Sequence, residues 1–434
     1  MIRAALKNSS WLMSEKVVTM AMNLLVALLL ARQLGPELFG ELNYVLALVA
    51  LVTPLSALGL NALIMRELVE HPSRETVIMT SAAACRLVGA GVGLLGLLLW
   101  AWLSPLSVAE RISLTVIGAA ATLQAFQVVE YYFQANVSAR YVVKMRASVI
   151  IVAGLGKIAF ALFYPSVIAV AVVYALEFLA WGAGYLLLYK SKSDGFHWRK
   201  IDWPYGLQLL KQSSWLILSG IAAVLYLKID QVMLGHLASR AEVGVYAVAV
   251  KLSEVWYFFA TAIATSFFAG LLALKKTQPE RYNQRLQQLC DALFAAALVL
   301  AIVVSLLAEP VVPWLFGEAY TGAAAILVIH IWASVFVFMR ALASKWLIAE
   351  RLLHFSLISH GLGAVLNIVA NFLLIPEWQG KGAAIATIVS YACASYVAFW
   401  LSSSTRPLAV TMSRAMLLPL TLGHRYWHLL RRKG

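Results

Sequence analysis

Acidic residues are scarce in this 434-residue chain: 20 Asp and Glu stand against 34 Lys and Arg, and charged residues together make up only 12%. With 62% hydrophobic residues and a mean hydropathy of +0.82, there is too little polar surface to cover a water-soluble globule. The chain belongs in a bilayer. Cysteine is nearly absent: Cys85, Cys290 and Cys393 are far apart in apolar runs, which excludes a disulfide framework or metal cluster and leaves them as small packing residues. Long loops are missing too. No connection is much longer than about fifteen residues, the length at which loops begin to carry structure of their own, so no extramembrane domain is expected to hold a catalytic site. There is no phosphate-cradling glycine loop, HExxH, paired-cysteine motif or acidic loop cluster. An enzyme is disfavoured, and no cofactor or metal is expected.

What is abundant is apolar length. Windows of about twenty apolar residues, enough to cross about 30 Å of hydrocarbon as helix, place twelve spans near 10–33, 38–65, 77–103, 110–136, 142–164, 166–189, 208–235, 240–273, 285–308, 320–348, 353–375 and 381–402. The longest are expected to tilt or to project beyond the bilayer. The first follows the basic residues Arg3 and Lys7, as a signal peptide would, but it is long enough to span and lacks a convincing cleavage site.

The net charge of +14 reads as topology rather than as nucleic-acid binding. One set of loops carries Arg66, Arg74, Arg140, Lys144, Arg146, Lys190, Lys192, Arg199, Lys200, Lys275, Lys276, Arg281, Arg285 and Arg351. The alternate set has little beyond Arg240 and Lys381, with Arg32 and Arg111 at span ends. Positive charge gathers on the cytoplasmic side, which places both termini there.

Two stretches suggest two similar halves. ARQLGPELFGELNYVLALVALVTPLSALGLNALIMREL (Arg32 to Leu68) and GHLASRAEVGVYAVAVKLSEV (Gly235 to Val255) each join two apolar runs through a short turn. They align at Gly40 and Gly244 with one residue inserted in the second copy, and a repeat of this kind is a common way to build a transporter. The organisation read from this is an N-terminal six-helix lobe at 1–190, a polar cytoplasmic linker at 191–205, a C-terminal six-helix lobe at 206–403 and a basic tail at 404–434. The tail mixes apolar residues with Arg414, His424, Arg425, His428, Arg431, Arg432 and Lys433, interrupted by Pro419, and reads as an interfacial helix held to anionic lipid headgroups.

Charges within spans are costly and face a cavity or a partner. The basic ones are Lys16, Arg86, Lys157, Lys228, Lys251, Arg340 and Lys345; the carboxylates are Glu15, Glu130, Glu177, Asp230, Glu254 and Asp291. Lys16, Lys211, Asp291 and Lys345 lie near span ends, where snorkelling serves. Lys251 and Glu254 share a helical face and can neutralise each other. Arg86, Lys157 and Arg340 have no opposite charge at helical spacing and are assigned to a cavity. Lys228 and Asp230, two apart, cannot share a face, so one of them must find a partner on another helix. An inner surplus of positive charge suits an anionic substrate, with arginine gripping phosphate oxygens in bidentate fashion. The aromatics read mainly as lipid-facing, packing or belt residues, and His330 and His360 either carry protons or pack as neutral rings.

LARQLGPELFG (Leu30 to Gly40), LGLNALIMREL (Leu58 to Leu68), YLKIDQVMLGHL (Tyr226 to Leu237), EVGVYAVAVKLSEVWYFF (Glu242 to Phe259) and NIVANFLLIPEWQGKGAAIAT (Asn367 to Thr387) resemble, in order and spacing, the Wzx-type O-antigen flippases of the multidrug/oligosaccharidyl-lipid/polysaccharide superfamily. The resemblance implies an all-α polytopic membrane protein, two six-helix lobes around a central cavity open alternately to either side of the bacterial inner membrane. It implies an undecaprenyl-pyrophosphate-linked oligosaccharide as substrate, and a polysaccharide polymerase and chain-length regulator as partners. Asp230 and Glu254 fall on the family's acidic positions. Where relatives carry proline after the YFF block this chain has Ala260 and Ala269-Gly270, so any kink there falls to Gly270. The expected substrate-binding cations are Arg86, Lys157, Lys228, Lys251 and Arg340; the expected ion-coupling carboxylates are Glu130, Glu177, Asp230 and Glu254. A drug or cation antiporter of the same superfamily is the alternative, and a membrane-embedded polymerase or ligase a more distant one.

Overall fold

The computed structural model describes residues 2–421 and Arg425, and every regular element among them is helical. The helices are α1 (Ile2–Ala57), α2 (Asn61–Glu70), α3 (Glu75–Leu103), α4 (Val108–Ala121), α5 (Val128–Ala135), α6 (Arg140–Phe163), α7 (Val167–Lys192), α8 (Trp203–Leu237), α9 (Arg240–Glu254), α10 (Tyr257–Thr277), α11 (Pro279–Phe316), α12 (Thr321–His330), α13 (Ala333–Ala349), α14 (Leu353–Ser395) and α15 (Arg406–Met416). In hydrocarbon a helix satisfies every backbone group within itself, which is why long apolar runs take this form.

Among the described residues, nine helical stretches are long and apolar enough to span, and α12 with α13 adds a tenth, bent by 49°. Two of the nine are pairs in one: α1 breaks at Gly35 (φ 71°, ψ 171°) just before Pro36, and α14 breaks at Gln379 (φ 49°, ψ −127°). With those breaks counted, each of the twelve spans expected from apolar length has its helix. The outward surface is apolar, with Trp102, Phe163, Leu306 and Trp314 each more than two thirds exposed, a distribution a soluble protein avoids. The chain is a multi-pass membrane protein.

Packing divides the chain into two compact units, Met1–Val248 and Ala249–Gly434. In the first, α1 runs along α3, α6 and α8, and α4 packs on α7, over a core that includes Ile64, Met79, Phe133 and Tyr189. In the second, α13 packs on α10, α11 and α14, around Cys290, Ala297, Met339 and Phe399. The polar segment 191–205 lies within the first unit, not at its edge. Phe196 stacks on Trp198 (5.6 Å between centroids), while the His197 and Asp202 amides donate to Thr80 and Ser81 of α3 at 3.3 and 3.0 Å. These contacts tie the segment down.

The break in the eighth span falls at Val255–Trp256, between α9 and α10; α10 runs unbroken through Gly270. In the tail, α15 buries Leu408, Ala409, Met412 and Ala415 and leaves Arg414 exposed. His424, His428, Arg431, Arg432 and Lys433 lie outside the described residues.

Candidate functional site

Three breaks in helical structure build a cavity in the first unit. Pro54 lacks the N–H that would bond the Ala50 carbonyl, and Thr53 Oγ1 donates to that oxygen instead at 2.7 Å. A turn or so later the chain leaves α1 through Leu58 and Gly59, both at positive φ, before α2 begins at Asn61. Between α4 and α5 the span tightens into a 3-10 segment, Thr122–Gln127. The cavity, about 390 Å³, is lined by Thr53, Ser56, Asn61, Gln124 and Gln127 around Arg86, and α8 supplies an apolar wall that includes Ile217 and Val224.

Arg86 enters from the buried half of α3, where Thr80, Ser81, Ala82, Ala83 and Ala84 are small enough for neighbouring helices to approach closely. It is 1% exposed. Nε donates to the Ser56 carbonyl at 2.8 Å and Nη2 to the Gln124 carbonyl at 3.2 Å, one at the end of α1 and the other in the 3-10 segment. Nη1 has no hydrogen bond of ordinary geometry; the Tyr131 ring lies 5.9 Å from the guanidinium carbon. A buried permanent cation with one nitrogen that has no nearer partner than the Tyr131 side chain, at the wall of a cavity, favours an anion there.

Glu130 lies behind this wall. It accepts from Gln127 (3.2 Å), Gln134 (2.9 Å) and Arg146 (3.0 Å), and Arg146 also reaches the buried Glu15 at 3.3 Å. Gln127 thus touches both the cavity and the carboxylate. Arg146, counted from sequence as a loop charge, is an inner member of this network.

The other residues expected at the site are dispersed. Lys157 on α6 is buried against Glu177 on α7 at 2.5 Å and over the Tyr174 ring at 3.6 Å. Asp230 is buried, accepting from the Tyr246 hydroxyl and, at 2.8 Å, from the Gln231 amide. That supplies the partner on another helix required of Lys228 or Asp230. Lys228 is half-buried on α8, and Lys251 and Glu254 are half-buried near the end of α9. In the second unit Arg340 is buried and donates to Ser359 (2.9 Å), Ser356 (3.3 Å), the Ala394 carbonyl (3.3 Å) and His360 Nε2 (2.8 Å). Because guanidinium only donates, His360 accepts through Nε2 and carries its proton on Nδ1.

Sequence reading passed over Asn61, Gln124 and Gln127; carboxamides inside apolar spans were the available signal. It also placed Arg240 only as a loop charge. Arg240 instead pairs with the buried Glu110, donates to the Gly235 carbonyl and stands 3.7 Å from the Tyr44 ring centre.

Residues 5–269 match the family described as polysaccharide biosynthesis protein. Over 198 residues, the chain is 20% identical to a protein of Haloferax volcanii described as a "Probable low-salt glycan biosynthesis flippase Agl15". That stretch is 45% of this chain and spans only 41% of the relative. The fold is similar to that of the lipid II flippase MurJ in an inward closed conformation (TM-score 0.71, 12% identity, 94% of this chain and 92% of that one). It is also similar to an inward-facing multidrug resistance MATE transporter of the MOP superfamily (TM-score 0.67, 14% identity, 91% and 96%).

Proposed function

Because the chain belongs to the polysaccharide biosynthesis protein family, we propose that it is a flippase for an undecaprenyl-pyrophosphate-linked oligosaccharide. The cargo is the repeat unit of an O-antigen or related surface polysaccharide, carried from the cytoplasmic to the periplasmic leaflet of the bacterial inner membrane. The family match, the description of the Haloferax relative and the MurJ-like fold support this reading. The observation that carries it is the buried Arg86, whose Nη1 makes no hydrogen bond of ordinary geometry, in the wall of a cavity whose polar lining is amides and hydroxyls.

Arginine suits a phosphate oxygen or a sugar carboxylate, and carboxamides both donate to and accept from sugar hydroxyls. Arg340, Lys228 and Lys251 are the further cations assigned to the transport path. Lys157 is assigned first to neutralising Glu177, since separating that pair would strand a buried carboxylate. Glu130, Asp230, Glu254 and Glu177 are the carboxylates assigned to ion coupling. Glu130 has the most direct route, because a ligand that takes the Gln127 amide withdraws a donor from that carboxylate.

Transport by alternating access would move the two six-helix lobes, 1–190 and 206–403, joined by the linker 191–205, with both termini cytoplasmic. Polymerase and chain-length regulator proteins are the partners this chemistry calls for downstream. The test is a strain lacking the gene: surface glycan should be lost while single lipid-linked repeats accumulate on the cytoplasmic side, and Arg86→Gln should fail to restore export. Normal surface glycan in that strain would turn the reading toward drug or cation antiport, for which buried Asp230 would be the starting residue.

A further inference from the structure

In the second unit a polar cavity of about 740 Å³ lies between the first turns of α11 and α15. Its walls are rich in donors: Asn283, Gln284, Gln287 and Gln288 from α11, with Arg414 and Arg425. Gln287 Nε2 reaches Asp291 Oδ1 at 2.8 Å and the Thr411 carbonyl at 3.0 Å, clamping α15 to α11. Arg425 Nη1 lies 3.3 and 3.4 Å from the two Asp291 oxygens, so the buried carboxylate in the wall already has its cation. At the rim Arg285 donates to Gln288 Oε1 at 3.2 Å, which leaves the Gln288 NH₂ as the donor end of that side chain. Two arginines, Arg414 and Arg425, thus stand in the wall with the one carboxylate, Asp291, and a third, Arg285, is hydrogen-bonded to the wall side chain Gln288.

The depth of this cavity is set by the helices that form it. α11 has 38 residues, about 57 Å at 1.5 Å per residue, against about 30 Å of hydrocarbon. Its first turns, PERYNQRLQQLCD, are polar and its apolar run begins after Asp291, so the cavity stands at the membrane edge. α15 buries one face against the protein, and beside Arg414 the outward residues Val410, Leu417 and Leu420 are 37%, 51% and 84% exposed. Exposed leucines beside exposed arginines suit the headgroup and acyl boundary of a lipid leaflet, and a soluble anion would use no such apolar surface.

We propose that the cavity between α11 and α15 binds the phosphodiester headgroup of an anionic phospholipid. Arg414 and Arg285 hold the phosphate oxygens, the carboxamides hold the glycerol oxygens, and Val410, Leu417 and Leu420 meet the acyl chains. Bidentate guanidinium contact gives the site its preference for phosphate. The proposal goes beyond the flippase reading and does not rest on it, because lipid binding is measured without transport.

The experiment uses the full chain purified in neutral detergent, with bound phosphatidylglycerol and phosphatidylcholine counted by native mass spectrometry. The wild type should retain one phosphatidylglycerol at least tenfold more tightly than phosphatidylcholine. An arginine beside an anionic lipid contributes about fivefold, so R285Q with R414Q should abolish the preference while the melting temperature in lipid-free detergent stays unchanged. Should that variant fail to fold, Q284E, which adds a carboxylate without breaking an ion pair, should produce the same loss. An equal preference in a folded variant and the wild type would overturn the proposal. Displacement of the lipid by inorganic phosphate at equal concentration would also overturn it, by making the site one for free phosphate, and so would displacement by an acidic peptide.

Discussion

Gly40 of α1 and Gly244 of α9 meet backbone to backbone, and the contact is reciprocal. A Cβ on Gly40 would strike the Arg240 carbonyl and one on Gly244 the Pro36 carbonyl, each four residues before the facing glycine. The two copies of the sequence repeat thus face each other through the positions at which they align. Either glycine changed to alanine drives a methyl group into backbone that has no rotamer to retreat to. We expect G40A or G244A to cost at least about 1–3 kcal/mol as overpacking, seen as a lower melting temperature in detergent. G96A, where a Cβ meets nothing within 4 Å, should be neutral or stabilising by up to about 1 kcal/mol.

Lys157 and Glu177 should behave as one unit. K157M strands a buried carboxylate and should cost about 3–5 kcal/mol, whereas K157M with E177L, which removes both charges, should return most of that stability. A melting series over the wild type, both single variants and the double variant measures the coupling. A double variant whose loss is the sum of the two single losses would show that the two charges do not depend on each other.

Tyr246 should matter to stability through Asp230. Y246F removes a hydroxyl that donates to a buried carboxylate and should cost about 1.5–3 kcal/mol, the range for a bond to a charged group. The cost should shrink when Asp230 is already asparagine. Additive losses in that cycle would mean that the hydroxyl acts elsewhere.

Much of the architecture was legible because a bilayer imposes a length: each of the twelve apolar windows has its helix, and the Leu34-Gly35-Pro36-Glu37 turn is the break in α1. Partnerships across helices were not legible. Lys157 and Glu177 are twenty residues apart, and no periodicity within one helix brings them together; only the packing of α6 on α7 does. Arg146 counted toward topology because it follows a loop, yet it bridges Glu15 and Glu130 inside the first unit. Arg86 was legible as a charge too costly to bury idly, but its setting depends on the carbonyls of Ser56 and Gln124, at the end of α1 and in the 3-10 segment, and breaks of that kind leave little trace in composition.

Arg86 should tolerate neither loss of charge nor change of shape. R86Q removes the cation, and R86K keeps the charge but replaces the planar fork, whose separate nitrogens reach the Ser56 and Gln124 carbonyls, with a single point-charge nitrogen. Both should lower export of lipid-linked glycan, R86K by about tenfold or more, the factor that corresponds to about 1.4 kcal/mol. Melting temperatures measured alongside separate a lost binding group from a lost fold.

The most direct measurement follows the lipid-linked repeat unit by leaflet in cells that lack the gene and carry either the wild-type chain or R86Q at equal abundance. The flippase account predicts surface polymer and empty cytoplasmic-leaflet pools with the wild type, and no polymer with single repeats accumulating on the cytoplasmic side with R86Q. Normal export with R86Q would contradict the assignment of Arg86 to the substrate, and normal export with no gene at all would contradict the account as a whole.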